Sequence, residues 1–175
     1  MCPIPKLPNP LLSPISSPCF KRAVKSPYLL LSTGFGVGLI PFAPGTFGSG
    51  LGLCLYIFFA HFSFPNVNVF FVFLLLLAAS LFVVDRSLKE IGNGDHNEIV
   101  IDEMLAMMLV AHFIPADPKW AITAFLIFRF FDIAKPFPIK LIERSYNNAL
   151  GIMIDDVIAA IYSIILILIL KYLLL

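Results

Sequence analysis

The chain has 175 residues and a formal net charge of +1; 59% of its residues are hydrophobic and only 13% are charged. A soluble domain carries roughly 25% charged residues, so this composition excludes an ordinary water-soluble globule and indicates a one-domain membrane protein. Lys and Arg are scattered, which excludes a phosphate-tracking nucleic-acid surface, and Cys2, Cys19 and Cys54 have neither zinc-site spacing nor the even number of a disulfide framework.

Residues 1–27 are broken by Pro3, Pro5, Pro8, Pro10, Pro14, Pro18 and Pro27. A signal peptide needs an unbroken apolar core, so this stretch reads as a disordered, weakly basic, Pro-rich tail. A single membrane-embedded domain is expected over residues 28–175. Lys21, Arg22 and Lys25 precede the first apolar stretch and favour a cytoplasmic N-terminus.

The apolar stretch 29–43 contains Gly34, Gly36 and Gly38 and runs into Pro44-Gly45-Thr46-Phe47-Gly48-Ser49-Gly50. Small residues there let backbone N–H groups turn toward an anion, and Thr46 and Ser49 add hydroxyls. A helix opening at Phe47 would aim its N-terminus at the same place. The competing reading is a tight turn followed by close small-residue helix packing, which is the commoner outcome for such a segment alone. Residues 47–64 are rich in aromatics and stop at Pro65.

The clearest spanning candidates are residues 67–84 and 157–175. About 19 residues at about 1.5 Å each cover about 28 Å, close to the hydrocarbon thickness of a bilayer. Lys171 sits near the chain end, where it can snorkel to the interface. The stretch 99–115 carries Asp102 and Glu103 near its start, and 120–134 carries Arg129 and Asp132 near its end, before Pro136 and Pro138 break the helix. The expected fold is all-α: a membrane-embedded helical bundle with about four long apolar helices and several shorter ones. Long apolar runs without alternation disfavour a barrel.

Most of the acids fall in three short, otherwise apolar segments: Asp95-His96 through Asp102-Glu103, Arg129 through Asp132, and Gly151 through Asp155-Asp156. A carboxylate near the bilayer costs at least ~2.5–3.5 kcal/mol, so three such segments imply a shared compensation. A divalent cation supplies it, and Mg²⁺ takes carboxylate, water and phosphate oxygens. Asp95 and Asp102 are seven apart and share a helix face, as do Arg129 and Asp132, three apart. Adjacent acids point about 100° apart, so one member of each pair is expected on the metal and the other beside it. The competing reading is intramembrane salt bridges or a solvated rim, yet the acids outnumber the nearby Arg129 and Lys135. His96 is open between base, ligand and cap.

Taken together, these blocks resemble the phosphatidylglycerophosphatase A family. The first is Gly34-Phe35-Gly36-Val37-Gly38-Leu39 leading to Pro44-Gly45-Thr46-Phe47-Gly48-Ser49. The second is Asp95-His96 leading to Asp102-Glu103. The third is Phe128-Arg129 through Asp132, Lys135-Pro136 and Pro138-Ile139, and the fourth is Gly151-Ile152-Met153-Ile154-Asp155-Asp156. They occur in family order at similar spacing. Glu98 departs from the pattern, where a small polar residue is expected. The resemblance implies a Mg²⁺-dependent lipid phosphatase of phospholipid biosynthesis. It would convert phosphatidylglycerophosphate to phosphatidylglycerol at the bacterial inner (cytoplasmic) membrane, as a multi-pass protein with its site facing the cytoplasm. The metal would rest on some of Asp95, Asp102, Glu103, Asp132, Asp155 and Asp156, with His96 among the catalytic candidates. Arg129, Lys135 and the Gly45, Thr46, Gly48 and Ser49 segment would hold phosphate. The nucleophile, water or carboxylate, stays open. The main rival is a small transporter or channel subunit using intramembrane acids as a cation path. A CDP-alcohol phosphotransferase is disfavoured, since its Asp-Gly…Asp-Gly…Ala-Arg array is missing.

Overall fold

Proline and capping side chains set where several helices begin. In a computed structural model, which describes residues 23, 25–61, 69–92, 96–137, 139 and 149–174, these elements are all helical. Helix α1 (Pro27–Ser32) starts on proline, with the Ser26 hydroxyl accepting from the Leu29 N–H at 3.4 Å. Helix α2 (Pro44–His61) starts on Pro44. Helix α5 (Pro118–Ala134) starts on Pro118 behind Asp117, whose carboxylate accepts from the Lys119 N–H at 2.7 Å. Proline at a first helical position loses nothing, because its missing N–H has no intrahelical partner there, and a capping oxygen satisfies one of the remaining donors. Helix α3 (Val69–Ile91) ends where Gly92 turns to φ +106 and its N–H reaches the Leu88 carbonyl at 2.7 Å. A 3-10 turn (Val37–Leu39) links α1 to α2, and helices α4 (Ile101–Ala111) and α6 (Ala149–Leu174) follow. Most of the expected tail over residues 1–27 lies outside the described residues.

The helices run back and forth between two ends of the bundle. At one end the starts of α2, α4 and α6 meet the finish of α5, and Ile91 at the finish of α3 shares an apolar cluster with Ile99 and Ala149. At the other end Lys171 of α6 donates to the Phe113 carbonyl just past α4 at 3.2 Å, and Tyr56 of α2 pairs with His112 at 3.2 Å. Helix α4 is the hub: it touches α2, α3, α5 and α6, and Met104, Leu105, Ala106, Met107, Val110 and Ala111 are all buried. A helix apolar around its whole circumference belongs inside a bundle. Its neighbours offer small residues that let backbones approach, including Ala124, Ala159 and Ala160.

The closest approach is between α2 and α4. A methyl group on Gly52 would sit 2.3 Å from the Met104 carbonyl oxygen, and one on Gly48 would sit 2.7 Å from the Val100 Cβ. Only glycine at those positions lets α4 lie this close. The same geometry anchors the segment ahead of α4, where the Val100 N–H donates to the Ser32 carbonyl at 2.9 Å.

Two helices are long and apolar enough to cross a membrane, over Phe71–Ile91 and Ala149–Leu174. The expectation of about four long apolar helices exceeds what the described residues bear. Helix α4 stops after 11 residues, α5 carries Lys119, Arg129 and Asp132 in 17, and the first half of α2 is mostly glycine, serine and threonine. The outward faces are nonetheless apolar: Phe71, Leu75 and Phe82 on α3, Ile161, Ile165 and Leu168 on α6, and the stripe Ile122, Leu126, Phe130 and Ile133 on α5. Arg129 and Asp132 of α5 point inward while its apolar stripe faces outward, the inverse of a water-soluble helix and the arrangement a lipid solvent selects.

Candidate active site

Four helix ends bring the acids of three separated segments together. Asp102 and Glu103 open α4, Asp132 lies in the last turn of α5, and Asp155 and Asp156 lie two turns inside α6. The last pair was expected just ahead of its spanning helix. The helix instead begins at Ala149, so both aspartates are inside it and buried.

The adjacent acids divide by direction. Asp102, Glu103 and Asp156 each offer a carboxylate oxygen, and these three atoms lie within 4.8 Å of one another. Asp155, rotated about 100° from Asp156, instead accepts from the Lys135 Nζ at 2.9 Å. Its other oxygen accepts from the Asp156 N–H at 3.1 Å, which stiffens the start of its neighbour. Asp102 accepts from the Glu103 N–H at 3.0 Å in the same manner. Asp132 is matched by Arg129, three residues earlier on the same face of α5.

This pairing is a charge account. Arg129 answers Asp132 and Lys135 answers Asp155. Asp102, Glu103 and Asp156 are left with a share of Arg129, whose Nη1 is 3.8 Å from Glu103. Among the described residues, Glu103 Oε2 is buried without a hydrogen-bond partner, and so is Arg129 Nε. An orphaned buried carboxylate oxygen costs the full desolvation of that group. Burial pushes the Asp102 carboxyl up to about 8; the Glu103 N–H opposes this, and the charges of Asp155 and Asp132 add to it. Burial likewise raises Glu103 well above the ordinary carboxylate range, with Asp102 and Asp132 reinforcing it and Arg129 offsetting part. A divalent cation among the three oxygens would reverse this penalty, because its charge favours the ionised carboxylates. Hard oxygen donors of this kind suit Mg²⁺, Mn²⁺ or Ca²⁺. The residues fit such an ion.

Lys135 reaches Asp155 by a backbone device. It caps α5 with φ +40, and its N–H returns to the Phe131 carbonyl at 2.9 Å. Left-handed backbone is unfavourable for a lysine, and here it turns the chain sharply at the end of α5, beside α6.

The remaining expected site residues separate. Helix α2 opens at Pro44, three residues before Phe47, so Thr46, Gly48 and Ser49 are helical rather than parts of an anion loop. Gly48 faces Val100, as the packing reading foresaw. Gly45 does border the acids: a methyl group there would lie 2.0 Å from Glu103 Oε1 and 3.1 Å from Arg129 Nη1. Ser49 accepts from Arg129 Nη1 at 3.3 Å. His96 stays with its own turn, its Nε2 at 3.0 Å from the Gly92 carbonyl. Asp95 lies outside the described residues. Gly52 and Val100 were not singled out from the sequence, although both set the depth of α4. Their signal was the Gly45, Gly48, Gly52 repeat at three and four residues, one face of a helix.

Comparison with known proteins adds an independent finding. The family model for phosphatidylglycerophosphatase A matches residues 30–171. A protein of Haemophilus influenzae named phosphatidylglycerophosphatase A is 39% identical over 159 residues, covering 90% of this chain and 96% of its own length. An Escherichia coli protein of the same name is 34% identical over 141 residues, 80% of this chain and 81% of its own. A Bacteroides thetaiotaomicron protein named putative phosphatidylinositol-3-phosphatase is 35% identical over 150 residues, 79% of this chain and 90% of its own. No solved structure matches significantly.

Proposed function

This chain belongs to the phosphatidylglycerophosphatase A family, and from that membership we propose that it hydrolyses phosphatidylglycerophosphate to phosphatidylglycerol and phosphate with Mg²⁺ as cofactor. The observation that carries the metal part is the trio of carboxylate oxygens within 4.8 Å of one another, from buried Asp102 and Asp156 and half-buried Glu103, whose Oε2 has no hydrogen-bond partner among the described residues. Asp102, Glu103 and Asp156 would hold the ion. When bound, it supplies Lewis-acid polarisation of the phosphoryl group. Arg129 offers guanidinium protons to phosphate oxygens, and Lys135 sets the charge of Asp155 beside them. The three carboxylates lie near the end of the bundle that also bears Lys25, Arg86, Lys89 and Lys135, while Lys119 and Lys171 stand at the other. That excess of basic residues supports a cytoplasmic site in a multi-pass protein of the bacterial inner membrane.

The transporter reading is not favoured, since its carboxylates would have to line a path, whereas these converge on one buried point. The test is phosphate release by purified, detergent-solubilised protein from phosphatidylglycerophosphate, phosphatidylinositol 3-phosphate and phosphatidic acid, each in EDTA and in Mg²⁺. Release from phosphatidylglycerophosphate that vanishes in EDTA and returns with Mg²⁺ is the expected result. Full turnover in chelated protein refutes the metal role, and preference for another lipid refutes the substrate.

A further inference from the structure

Ser49 was expected to offer its hydroxyl to phosphate. Its surroundings give it a different task. It has no exposed surface, so neither solvent nor substrate reaches it. A serine hydroxyl has one proton, and this one is donated along the helix to the Gly45 carbonyl at 2.7 Å. Only lone pairs remain, and they face Arg129 Nη1 at 3.3 Å. A hydroxyl in that state can accept from a cation but cannot donate to a phosphate oxygen.

Arg129 completes the argument. Its Nη1 carries two protons. The Asp132 carboxylate takes one and Ser49 takes the other. Nη1 is thereby committed, pinned between α2 and its own helix, while Nε stays buried with no partner among the described residues. The guanidinium is fixed at that corner, which sets the direction of its remaining N–H groups.

We propose that Ser49 is a positioning residue: an acceptor-only hydroxyl that fixes Arg129 Nη1, so that the guanidinium neither drifts onto Glu103 nor turns its uncommitted N–H groups away from the phosphate. The inference rests on the phosphatase reading above. Without the serine oxygen, the freed Nη1 proton has Glu103, 3.8 Å away, as its nearest carboxylate alternative after Asp132. An arginine pulled toward Glu103 competes with the metal for that carboxylate and loses its alignment to substrate.

The experiment compares wild type, Ser49→Ala, Arg129→Lys and the double variant. The kcat and KM for phosphatidylglycerophosphate in mixed micelles are measured per folded molecule, with the half-saturating Mg²⁺ concentration for each. A hydrogen bond to a charged group sets the scale, so Ser49→Ala should lower kcat/KM by about tenfold and raise the Mg²⁺ requirement. In the Arg129→Lys background the same change should cost about twofold or less, because the partner it acts through is already gone. Should the alanine variant fail to fold, Ser49→Cys fills the space without the oxygen acceptor and should show the same loss. Wild-type kinetics in a folded Ser49 variant, or an equal loss in both backgrounds, overturns the positioning role. Wild-type protein that releases no phosphate from this lipid overturns the reading beneath it instead.

Discussion

A single methyl group at Gly45 separates folding from chemistry in this protein. The Cβ of Gly45→Ala would lie 2.0 Å from Glu103 Oε1 and 3.0 Å from its carboxyl carbon. The obstacle is the far end of a flexible side chain, so the carboxylate yields and the helix does not. To reach ordinary contact at 3.4 Å it must retreat by about 1.4 Å. A Mg²⁺ ion held there would tolerate little of that, since Mg²⁺ accepts oxygen ligands only over a narrow range of distances. Displacing one of three carboxylates should weaken metal binding by about 10–100-fold, which is about 1.4–2.8 kcal/mol. Folding should lose nothing, because alanine exceeds glycine in a helix by about 0.8–1 kcal/mol. The assay is phosphate release against Mg²⁺ concentration, beside the thermal midpoint in EDTA. Gly50→Ala is the control, as nothing lies within 4 Å of its added methyl group. It should leave the Mg²⁺ requirement unchanged. A Gly45→Ala enzyme with wild-type half-saturation would refute the placement of Glu103 on the metal.

Four further outcomes follow from the same geometry. Asp156→Asn should raise the Mg²⁺ requirement and lower kcat by about a hundredfold, roughly 2.7 kcal/mol. Asp155→Asn should resemble Lys135→Met, because its carboxylate answers that lysine; equal metal dependence in the two asparagine variants, measured by Mg²⁺ titration, would contradict the division. Gly52→Ala meets the backbone oxygen of Met104 at 2.3 Å, so it should force α2 and α4 apart and destabilise the fold by about 1–3 kcal/mol, seen as a lower thermal midpoint even in EDTA. Asp102 is raised from 3.8 to about 8, so between those values the metal-free native state binds more protons than the unfolded chain. Its stability should therefore fall as pH rises across that window, and the stabilisation from added Mg²⁺ should grow over the same range. A thermal midpoint in EDTA that climbs with pH there would count against it.

Composition and local pattern were enough for the all-helical membrane class, because apolar runs, proline starts and glycine stops act within a few residues of themselves. Pro118 behind Asp117 and Gly92 after Ile91 are signals of that local kind, although apolar composition alone sets those bounds at residues 120 and 84. The family blocks likewise marked Asp95, Asp102, Glu103, Asp132, Asp155 and Asp156 as one set, since clustered acids in an apolar chain need a common answer. The sequence could not assign partners within that set. Asp155 and Asp156 are neighbours in the chain, and only the rotation of α6 against α5 and α4 sends one to Lys135 and the other to Asp102 and Glu103. The glycines posed the same problem. Gly45, Gly48 and Gly52 look alike on one helix face, yet one borders a carboxylate, one a valine and one a backbone carbonyl. Those differences arise where α2 crosses α4, roughly fifty residues farther along the chain, and a contact between distant segments is set by helix packing, which local periodicity does not encode.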